Sequence, residues 1–277
     1  MIFVYKVWEN FCKSLSDCGF YSITARDVLE GKGKDKYFIL KHDVETNVAR
    51  ALEIAKIEAK FGHHGSYYVQ AYLLENKENV NMLKEIQGLG HEVSYHFDVM
   101  DSTKGNLDLA IEEFEKNKAL FENNGFVLST LCQHGNPVVE RVGYTSNRDF
   151  FRSERVQVLY PSLCDIMVDF KDKANTDYIY FSDAGRRFNI IFDPINNDVI
   201  KSDDKNIPIN TMEEIIDYVK KQNCIISIHP HRWEKNAASY LIKQWIFKIV
   251  KATAKVLMKV PFIKKIMSKY YYLAKKI

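Results

Sequence analysis

The chain has 277 residues, of which 46% are hydrophobic and 27% are charged; this composition supports a full core and excludes a disordered chain or a bundle of transmembrane helices. Its net charge of +3 is divided unevenly, because residues 235–277 contain eleven lysines and no acidic residue. Residues 1–234 therefore carry a charge of about −8, so an acidic body precedes a cationic tail.

Helical and strand patterns alternate along most of the chain. The spacing of apolar residues predicts helices over residues 5–19, 46–62, 76–89, 107–123 and 211–222. Short apolar or alternating runs predict strands over residues 36–42, 66–70, 91–97, 127–137, 177–183 and 224–233. Residues 138–176 contain many aromatic and arginine side chains and have no clear period. The alternation predicts an α/β fold with a mostly parallel sheet or barrel.

Polar residues that can bind a metal or transfer a proton lie at the carboxyl ends of five predicted strands. They are Asp43 and Glu45, His96 and Asp98, His134, Asp183, and His229 and His231. In a β/α barrel these ends meet on one face. One such residue alone is more often a helix cap or a structural group, but five sets on one face indicate a site. Carboxylates and imidazoles suit zinc and related divalent ions, so the pattern favours metal-assisted hydrolysis.

Five motifs, spread over about residues 36–233, resemble those of the polysaccharide deacetylase family, also known as the NodB-homology fold. In chain order they are KHDVE, GHEVSYHFD, QHGNP, YFSDAGRRF and IISIHPHRW. The second motif is the most specific, because the family commonly has Gly-His-Glu-Ile-Gly-Asn-His there. The resemblance implies a distorted (β/α) barrel over residues 1–237. Residues 238–277 lie outside the resemblance, and their own spacing predicts a helical extension. It also implies a divalent metal cofactor, expected to be Zn²⁺.

The resemblance implies a separate role for each residue at the centre of the motifs. Asp43 matches the family's general base, and His229 in the last motif matches its general acid. His96 matches a metal-binding histidine. Glu45 stands where some members of the family carry the metal-binding aspartate of a spaced D-x-D motif.

One position departs from the pattern of the family. The second metal-binding histidine is expected four residues after His96, where this chain has Met100. A thioether is a poor ligand for a hard or borderline ion. Either metal binding has been lost, or a third ligand comes from elsewhere in the chain. His134 is then preferred to Asp98, because it lies at the exit of the next predicted strand.

Several further residues are candidates for binding the substrate. Trp233 is expected to line the pocket and to offer its face to a sugar ring. Arg186 could bind the phosphate of a nucleotide-linked or lipid-linked sugar, although a solvated surface position is an equal alternative. The remaining candidates are Asp98, Asp183 and His231.

Cysteine usage and the first residues of the chain favour a cytoplasmic location. The five cysteines are scattered and form no CxxC pair, which indicates reduced thiols rather than a disulfide framework or a thiolate zinc site. Lys6, Glu9 and Lys13 interrupt the apolar pattern near the N-terminus. We therefore do not expect a signal peptide there.

The cationic tail predicts a peripheral contact with the inner face of the membrane. Lys248, Lys251, Lys255 and Lys259 recur at helical spacing, and Trp245 with neighbouring aliphatic residues supplies an apolar surface. Such a basic amphipathic helix is typical of an interfacial anchor on anionic lipid. The alternative is that the tail packs back on the acidic body. Nucleic acid is not expected as a partner, because the tail contains no arginine.

These observations together predict a hydrolase that acts on a carbohydrate. The expected reaction removes an N-acyl group, such as acetyl, from an amino sugar in a nucleotide-linked or lipid-linked precursor of a surface polysaccharide. Met100 and the incomplete third motif leave two alternatives open. One is a catalytically inactive sugar-binding homologue, and the other is metal-independent hydrolysis that uses Asp43 and His229 alone.

Overall fold

In the computed structural model, residues 1–33, 36–136, 139–196 and 206–257 are described, and their strands form one sheet. The strand order across the sheet is β5-β4-β3-β2-β1-β9-β6-β7-β8. The strands are β1 (Phe38–Val44), β2 (Gly65–Val69), β3 (Glu92–Phe97), β4 (Thr130–Gln133), β5 (Cys164–Asp165), β6 (Ile179–Ser182), β7 (Phe188–Ile190), β8 (Ile207–Ile209) and β9 (Cys224–Ile228).

Most neighbouring strands of this sheet are parallel. Only β7 runs antiparallel to its two neighbours, β6 and β8. The predicted α/β fold with a mostly parallel sheet is therefore confirmed. Within the described ranges the edge strands β5 and β8 are not paired with each other. Strands β5, β7 and β8 were not predicted, because two or three residues are too few to establish an alternating pattern.

The helices connect the strands and cover the sheet. They are α1 (Tyr5–Asp17), α2 (Ala25–Leu29), α3 (Val48–Lys60), α4 (Lys77–Gly88), α5 (Val99–Ser102), α6 (Leu107–Asn123), α7 (Asp149–Arg152), α8 (Glu154–Leu159), α9 (Phe170–Lys173), α10 (Met212–Val219) and α11 (Ala237–Leu257). All five helices predicted before the tail are present; α6 has the predicted ends, and the other four are shorter than predicted. The region 138–176 had no clear period because it contains only short helices and strand β5.

Local capping explains why β1 gives way to α3 immediately after the residues of interest. Asn47 accepts a hydrogen bond from the backbone N–H of Arg50 and so begins the helix. Gly62 follows the helix with a φ of +77°, in the left-handed region that glycine tolerates best. Glu45 thus lies in a turn between a buried strand and a capped helix, which fixes its position.

Strand β1 is buried along its whole length, and successive side chains point to opposite faces of the sheet. His42 points towards α1 and α3, where its ring contacts Trp8 and the carboxylate of Glu58. Lys41 and Asp43 point to the other face and pair with each other. A parallel strand that is buried on both faces is usually apolar throughout, so the polar residues in the second half of β1 are unusual.

Glu58 is the centre of a buried polar cluster between β1 and helices α1 and α3, which we call the Glu58 network. Its carboxylate accepts hydrogen bonds from Trp8 Nε1 at 3.0 Å and from the Tyr67 hydroxyl at 2.8 Å. His42 Nε2 lies 2.9 Å from Oε1 of the same carboxylate, and His91 Nδ1 lies 3.8 Å from its Oε2. These contacts offset the cost of burying a carboxylate, so the network is structural.

The first turns of α11 pack against the body of the protein. Tyr240 is buried, with its ring centroid 6.1 Å from that of Phe3, and Lys243 forms a 3.0 Å ion pair with Glu234. Of the helices in the described part of the chain, none has the length and apolar character needed to cross a bilayer. The last part of the predicted helical extension, residues 258–277, lies outside the described residues.

Candidate functional site

The parallel strands bring most of the predicted site residues to one edge of the sheet. Asp43 lies near the end of β1, and His96 lies near the end of β3. His134 and His229 follow β4 and β9 directly. Since β1 neighbours β9 on one side and β2 on the other, these ends converge. All four residues are buried.

Three ligand atoms cluster at this edge, and we call them the three-donor group: a carboxylate oxygen of Glu45 and ring nitrogens of His96 and His134. They lie within 4.8 Å of one another. Nδ1 of His134 is 3.1 Å from Nε2 of His96 and 3.6 Å from Oε1 of Glu45. Two imidazoles and one carboxylate form a ligand set that suits Zn²⁺ and leaves further positions open. The residues present therefore fit a divalent metal.

The backbone orients the His96 ring towards the cluster. Its Nδ1 lies 3.0 Å from the carbonyl oxygen of Cys132 and donates to it, which leaves the lone pair of Nε2 directed at the site. Burial lowers the pKa of His96 to about 4, although Asp43 and Glu45 raise it. The ring is therefore neutral near pH 7, which is the form that binds a metal.

Asp43, His96 and Cys132 form a second set of potential ligands in the described residues. The ammonium group of Lys41 argues against a metal there. Lys41 Nζ lies 2.5 Å and 2.7 Å from the two carboxylate oxygens of Asp43, so this position already holds a cation. We therefore favour the three-donor group as the metal site.

Lys41 was not among the residues predicted for the site. It is fully buried and also lies 3.3 Å from the hydroxyl of Ser227. Burial raises the pKa of Asp43, but Lys41, His96 and His229 lower it more, so the net pKa is well below its ordinary value. Asp43 is thus held ionised and able to accept a proton, although its basicity is reduced. A lysine two residues before Asp43, on the same face of β1, was the available signal.

A network of hydrogen bonds, which was not predicted from the sequence, fixes the position of His134. Its backbone N–H donates to the carbonyl of Phe97 at 2.7 Å, and its own carbonyl accepts from Nδ2 of Asn147 at 2.8 Å. Asn147 also donates to Asp101 at 2.9 Å, and Arg141 binds that carboxylate through two nitrogens at 2.8 Å and 2.9 Å. Asp101 therefore ties the loop after β4 to helix α5.

Met100 is a core residue that is only 4% exposed. It is buried in the hydrophobic cluster that contains Phe97, Phe114 and Phe150. The position where the family pattern expects a second metal-binding histidine thus belongs to the core. The structure places His134 beside His96 instead, as the sequence analysis preferred.

His229 faces the other side of the site and is oriented by Asp183. Its Nδ1 lies 2.6 Å from Oδ1 of Asp183, and its backbone N–H donates to Oδ2 at 3.1 Å. A carboxylate at Nδ1 fixes the tautomer and directs Nε2 into the site. That Nε2 lies 3.8 Å from Asp43 and 3.7 Å from Glu45, so the predicted acid faces both carboxylates.

Two predicted substrate-binding residues have structural positions instead. Asp183 has no exposed surface and accepts hydrogen bonds from His229, Arg232 and Trp233, so it positions His229 rather than contacting a substrate. Trp233 is likewise 0% exposed, and its ring stacks on Phe3 with centroids 5.1 Å apart. A ring with no exposed surface cannot stack on a sugar, so the expectation for Trp233 is corrected.

Arg186 contacts helix α11. Its guanidinium carbon is 4.7 Å above the ring of Phe247 in α11, a cation–π contact that joins the loop after β6 to the tail helix. The half-buried side chain therefore packs against the tail helix instead of standing as a solvated surface residue.

The two remaining candidates stay near the site. His231 has its ring centroid 5.9 Å from that of His229, and its buried Nδ1 finds no hydrogen-bond partner among the described residues. Burial lowers the pKa of His231 to about 3, so this ring is neutral. Asp98 is half-buried and lies at the N-cap position of α5. Burial, Glu45 and Asp98, in decreasing order of effect, raise the pKa of the Tyr72 hydroxyl.

Tyr72 is an exposed aromatic residue at the site that the sequence analysis did not single out. Its hydroxyl donates to the backbone carbonyl of Glu45 at 2.5 Å, and the residue is 49% exposed. It lies in the short 3₁₀ helix Ala71–Glu75 after β2, a strand whose end carries none of the predicted ligands. An exposed ring beside a buried polar cluster is suited to contact a sugar.

Comparison with known proteins adds nothing to these assignments. No protein-family model matches the chain, and neither does any curated protein or solved structure. The functional interpretation therefore depends on the geometry described above and on the motifs in the sequence.

Proposed function

We propose that this protein is a metal-dependent hydrolase that removes an N-acyl group from an amino sugar in a precursor of a surface polysaccharide. The observation that supports it most is the three-donor group, in which Glu45, His96 and His134 lie within 4.8 Å of one another. Asp43 lies within 4.8 Å of His96, and Nε2 of His229 lies 3.7 Å from Glu45 and 3.8 Å from Asp43. The proposal includes the distorted (β/α) barrel fold and membership of the polysaccharide deacetylase family, which the five motifs favour.

The three-donor group would hold the metal, with Zn²⁺ as the preferred ion. A divalent ion bound there supplies Lewis-acid chemistry, because it polarises a carbonyl and makes water more acidic. The protein's own contribution is to keep the His96 ring neutral and to exclude bulk water. Both His96 and His134 are 2% exposed. Electrostatic interactions are stronger in such a buried site than in water.

Two residues move the protons of the proposed reaction. Asp43, held ionised by Lys41, takes a proton from the water that attacks the amide carbonyl. The bond between the carbonyl carbon and the nitrogen then breaks as His229, in its imidazolium form, gives its Nε2 proton to the leaving amine. The proton that Asp43 took from water returns to Nε2 of His229 between turnovers. Asp183 holds the other ring nitrogen throughout, so the ring keeps its orientation. Water and amide are thereby converted to a carboxylic acid and a free amino sugar.

The substrate is proposed to be an N-acylated amino sugar that carries a nucleotide or a lipid. Tyr72 is positioned to contact its ring, and the unpartnered Nδ1 of His231 can accept a hydrogen bond from a sugar hydroxyl. Arg186 is not assigned to a phosphate, because its guanidinium packs against Phe247.

A second candidate function is sugar binding without catalysis. The observation that favours it is the ion pair between Lys41 and Asp43, which reduces the basicity of the proposed base. The burial of Met100 in the core points the same way, because a ligand of the family pattern is absent. Metal-independent hydrolysis by Asp43 and His229 would need both groups but not the three-donor group.

Metal analysis and hydrolysis assays together separate these functions. The purified protein should contain one divalent ion that is lost in Glu45→Ala, and it should release acetate from nucleotide-linked or lipid-linked N-acetyl amino sugars. Asp43→Asn should lower the rate by about a hundredfold or more, since a positioned base contributes about that much. Asp17→Asn, an exposed aspartate on α1, is the matched control.

Each alternative outcome has a distinct meaning. A protein that binds no divalent ion after metal loading, and yet binds sugars without cleaving them, contradicts the hydrolase. Hydrolysis that persists after chelation and in Glu45→Ala supports the metal-independent route. An unchanged rate in Asp43→Asn rules out Asp43 as the base.

A further inference from the structure

Helix α11 presents an apolar stripe to solvent. Trp245 is 70% exposed, and Leu241, Ile242, Ile246 and Ile249 are exposed as well. Residues 241, 242, 245 and 249 follow the spacing of one face of an α-helix. Exposure of large apolar residues along a helix is unfavourable in water, so the stripe indicates a surface that a binding partner covers.

The opposite face of α11 already packs against the protein. Tyr240, Lys243 and Phe247 lie on that face, and they contact Phe3, Glu234 and Arg186 respectively. The helix is therefore held in a fixed orientation, with the stripe directed outward. The alternative prediction, that the tail packs against the acidic body, explains this inner face. It does not explain the exposed apolar stripe.

The charge around the stripe indicates the chemistry of the surface that covers it. Residues 235–277 contain eleven lysines without a single acidic residue, and Lys248 is exposed next to the stripe. Apolar residues flanked by lysines complement a surface with an apolar interior and an anionic boundary. A nucleic acid offers the charge without the apolar interior, and the tail contains no arginine for phosphate recognition.

We propose that α11 docks on an anionic lipid bilayer. The stripe of Leu241, Ile242, Trp245 and Ile249 enters the boundary between headgroups and acyl chains, while lysines contact the headgroups. The helix lies in the plane of the membrane and does not cross it. This docking does not depend on the proposed hydrolase, because none of these residues belongs to the catalytic site.

Intrinsic fluorescence provides a direct test, because the chain has three tryptophans and two of them are inaccessible. Trp8 and Trp233 are 0% exposed, so a change on adding vesicles reports on Trp245. Full-length protein should show a blue shift and protection from an aqueous quencher with phosphatidylcholine vesicles that contain phosphatidylglycerol. Phosphatidylcholine alone should have little effect, and added salt should weaken the response.

Sedimentation with the same vesicles tests the two components of the surface separately. Trp245→Ser and Lys248→Glu should each weaken binding by about tenfold, because both apolar burial and charge contribute. The matched controls are Val158→Ser, an exposed apolar residue on α8, and Lys84→Glu, an exposed lysine on α4. These controls should bind as the parent protein does.

Three results would overturn the proposal. The first is absence of binding to the anionic vesicles. The second is binding that neither α11 variant weakens, which would exclude this helix as the contact. The third is self-association without vesicles that buries Trp245 and is abolished by Trp245→Ser, since a second copy of the chain would then cover the stripe.

Discussion

Strand β1 and the turn that follows it contribute to two buried histidine–carboxylate clusters, and the two clusters differ in how their atoms are paired. In the Glu58 network the carboxylate accepts from Trp8 at 3.0 Å and from Tyr67 at 2.8 Å, with His42 also in contact. In the three-donor group, potential ligand atoms face one another, with 3.1 Å between the rings of His96 and His134.

Burial and residue type therefore do not distinguish a structural cluster from a binding site. Both clusters contain histidine and glutamate with little exposed surface. In the Glu58 network, hydrogen-bond donors are paired with a carboxylate acceptor, which stabilises the fold. The three-donor group brings two imidazoles and a carboxylate together, an arrangement that a cation completes. Variants should therefore separate stability from metal binding.

The largest effect on stability is expected from Glu58→Ala. It leaves the N–H of Trp8 and the hydroxyl of Tyr67 buried without their acceptor, so unfolding free energy should fall by about 4 kcal/mol. Denaturant titration measures this change. Glu53→Ala, an exposed residue on the same helix, should change it by about 0.5 kcal/mol or less. Loss of metal from the folded Glu58→Ala protein would contradict the separation of the two clusters.

A smaller effect is expected from acid, through His91 at the edge of the Glu58 network. Burial lowers the pKa of His91 to about 4, and its Nδ1 accepts from the N–H of Gly65. In the unfolded chain His91 has a pKa of about 6.5, so its full contribution to stability is present above that pH. The contribution is lost as the pH falls towards 4, because in that range His91 is protonated only in the unfolded chain.

The contribution of His91 to this loss should be about 3 kcal/mol. Urea titrations at several pH values between these limits would measure it. His91→Gln retains an acceptor for Gly65 and cannot be protonated, so its stability should depend less on pH. An identical pH profile in His91→Gln would contradict the assignment.

The smallest effect is expected at the support of the three-donor group. Asn147→Ala removes the hydrogen bond to the carbonyl of His134, and metal affinity should fall by about tenfold, as for other outer partners of metal ligands. Competition with a chelator measures the affinity. Asn124→Ala removes a comparable bond to a backbone carbonyl on α6 and should leave the affinity unchanged. Equal losses in both variants would indicate a general effect on folding.

Most of the fold could be predicted because its signals are local. Apolar spacing or a short apolar run was visible in the sequence for five helices and five strands: α1, α3, α4, α6, α10, β1, β2, β3, β6 and β9. The short elements in 138–176 and strands β7 and β8 were not, since two to six residues do not establish a period. The roles of Trp233 and Asp183 were misjudged because their partners, Phe3 and His229, are distant in the chain.

Sequence patterns specify the strand that carries His42 and Asp43, the alternation that sends these two side chains to opposite faces, and the cationic segment after residue 234. These properties follow from the period of a strand or helix, which any short segment carries. Three other features become visible only in the folded chain: Lys41 pairs with Asp43, His134 lies beside His96, and Trp245 faces outward. Periodicity specifies the face on which a side chain lies, whereas its neighbours depend on how distant segments pack.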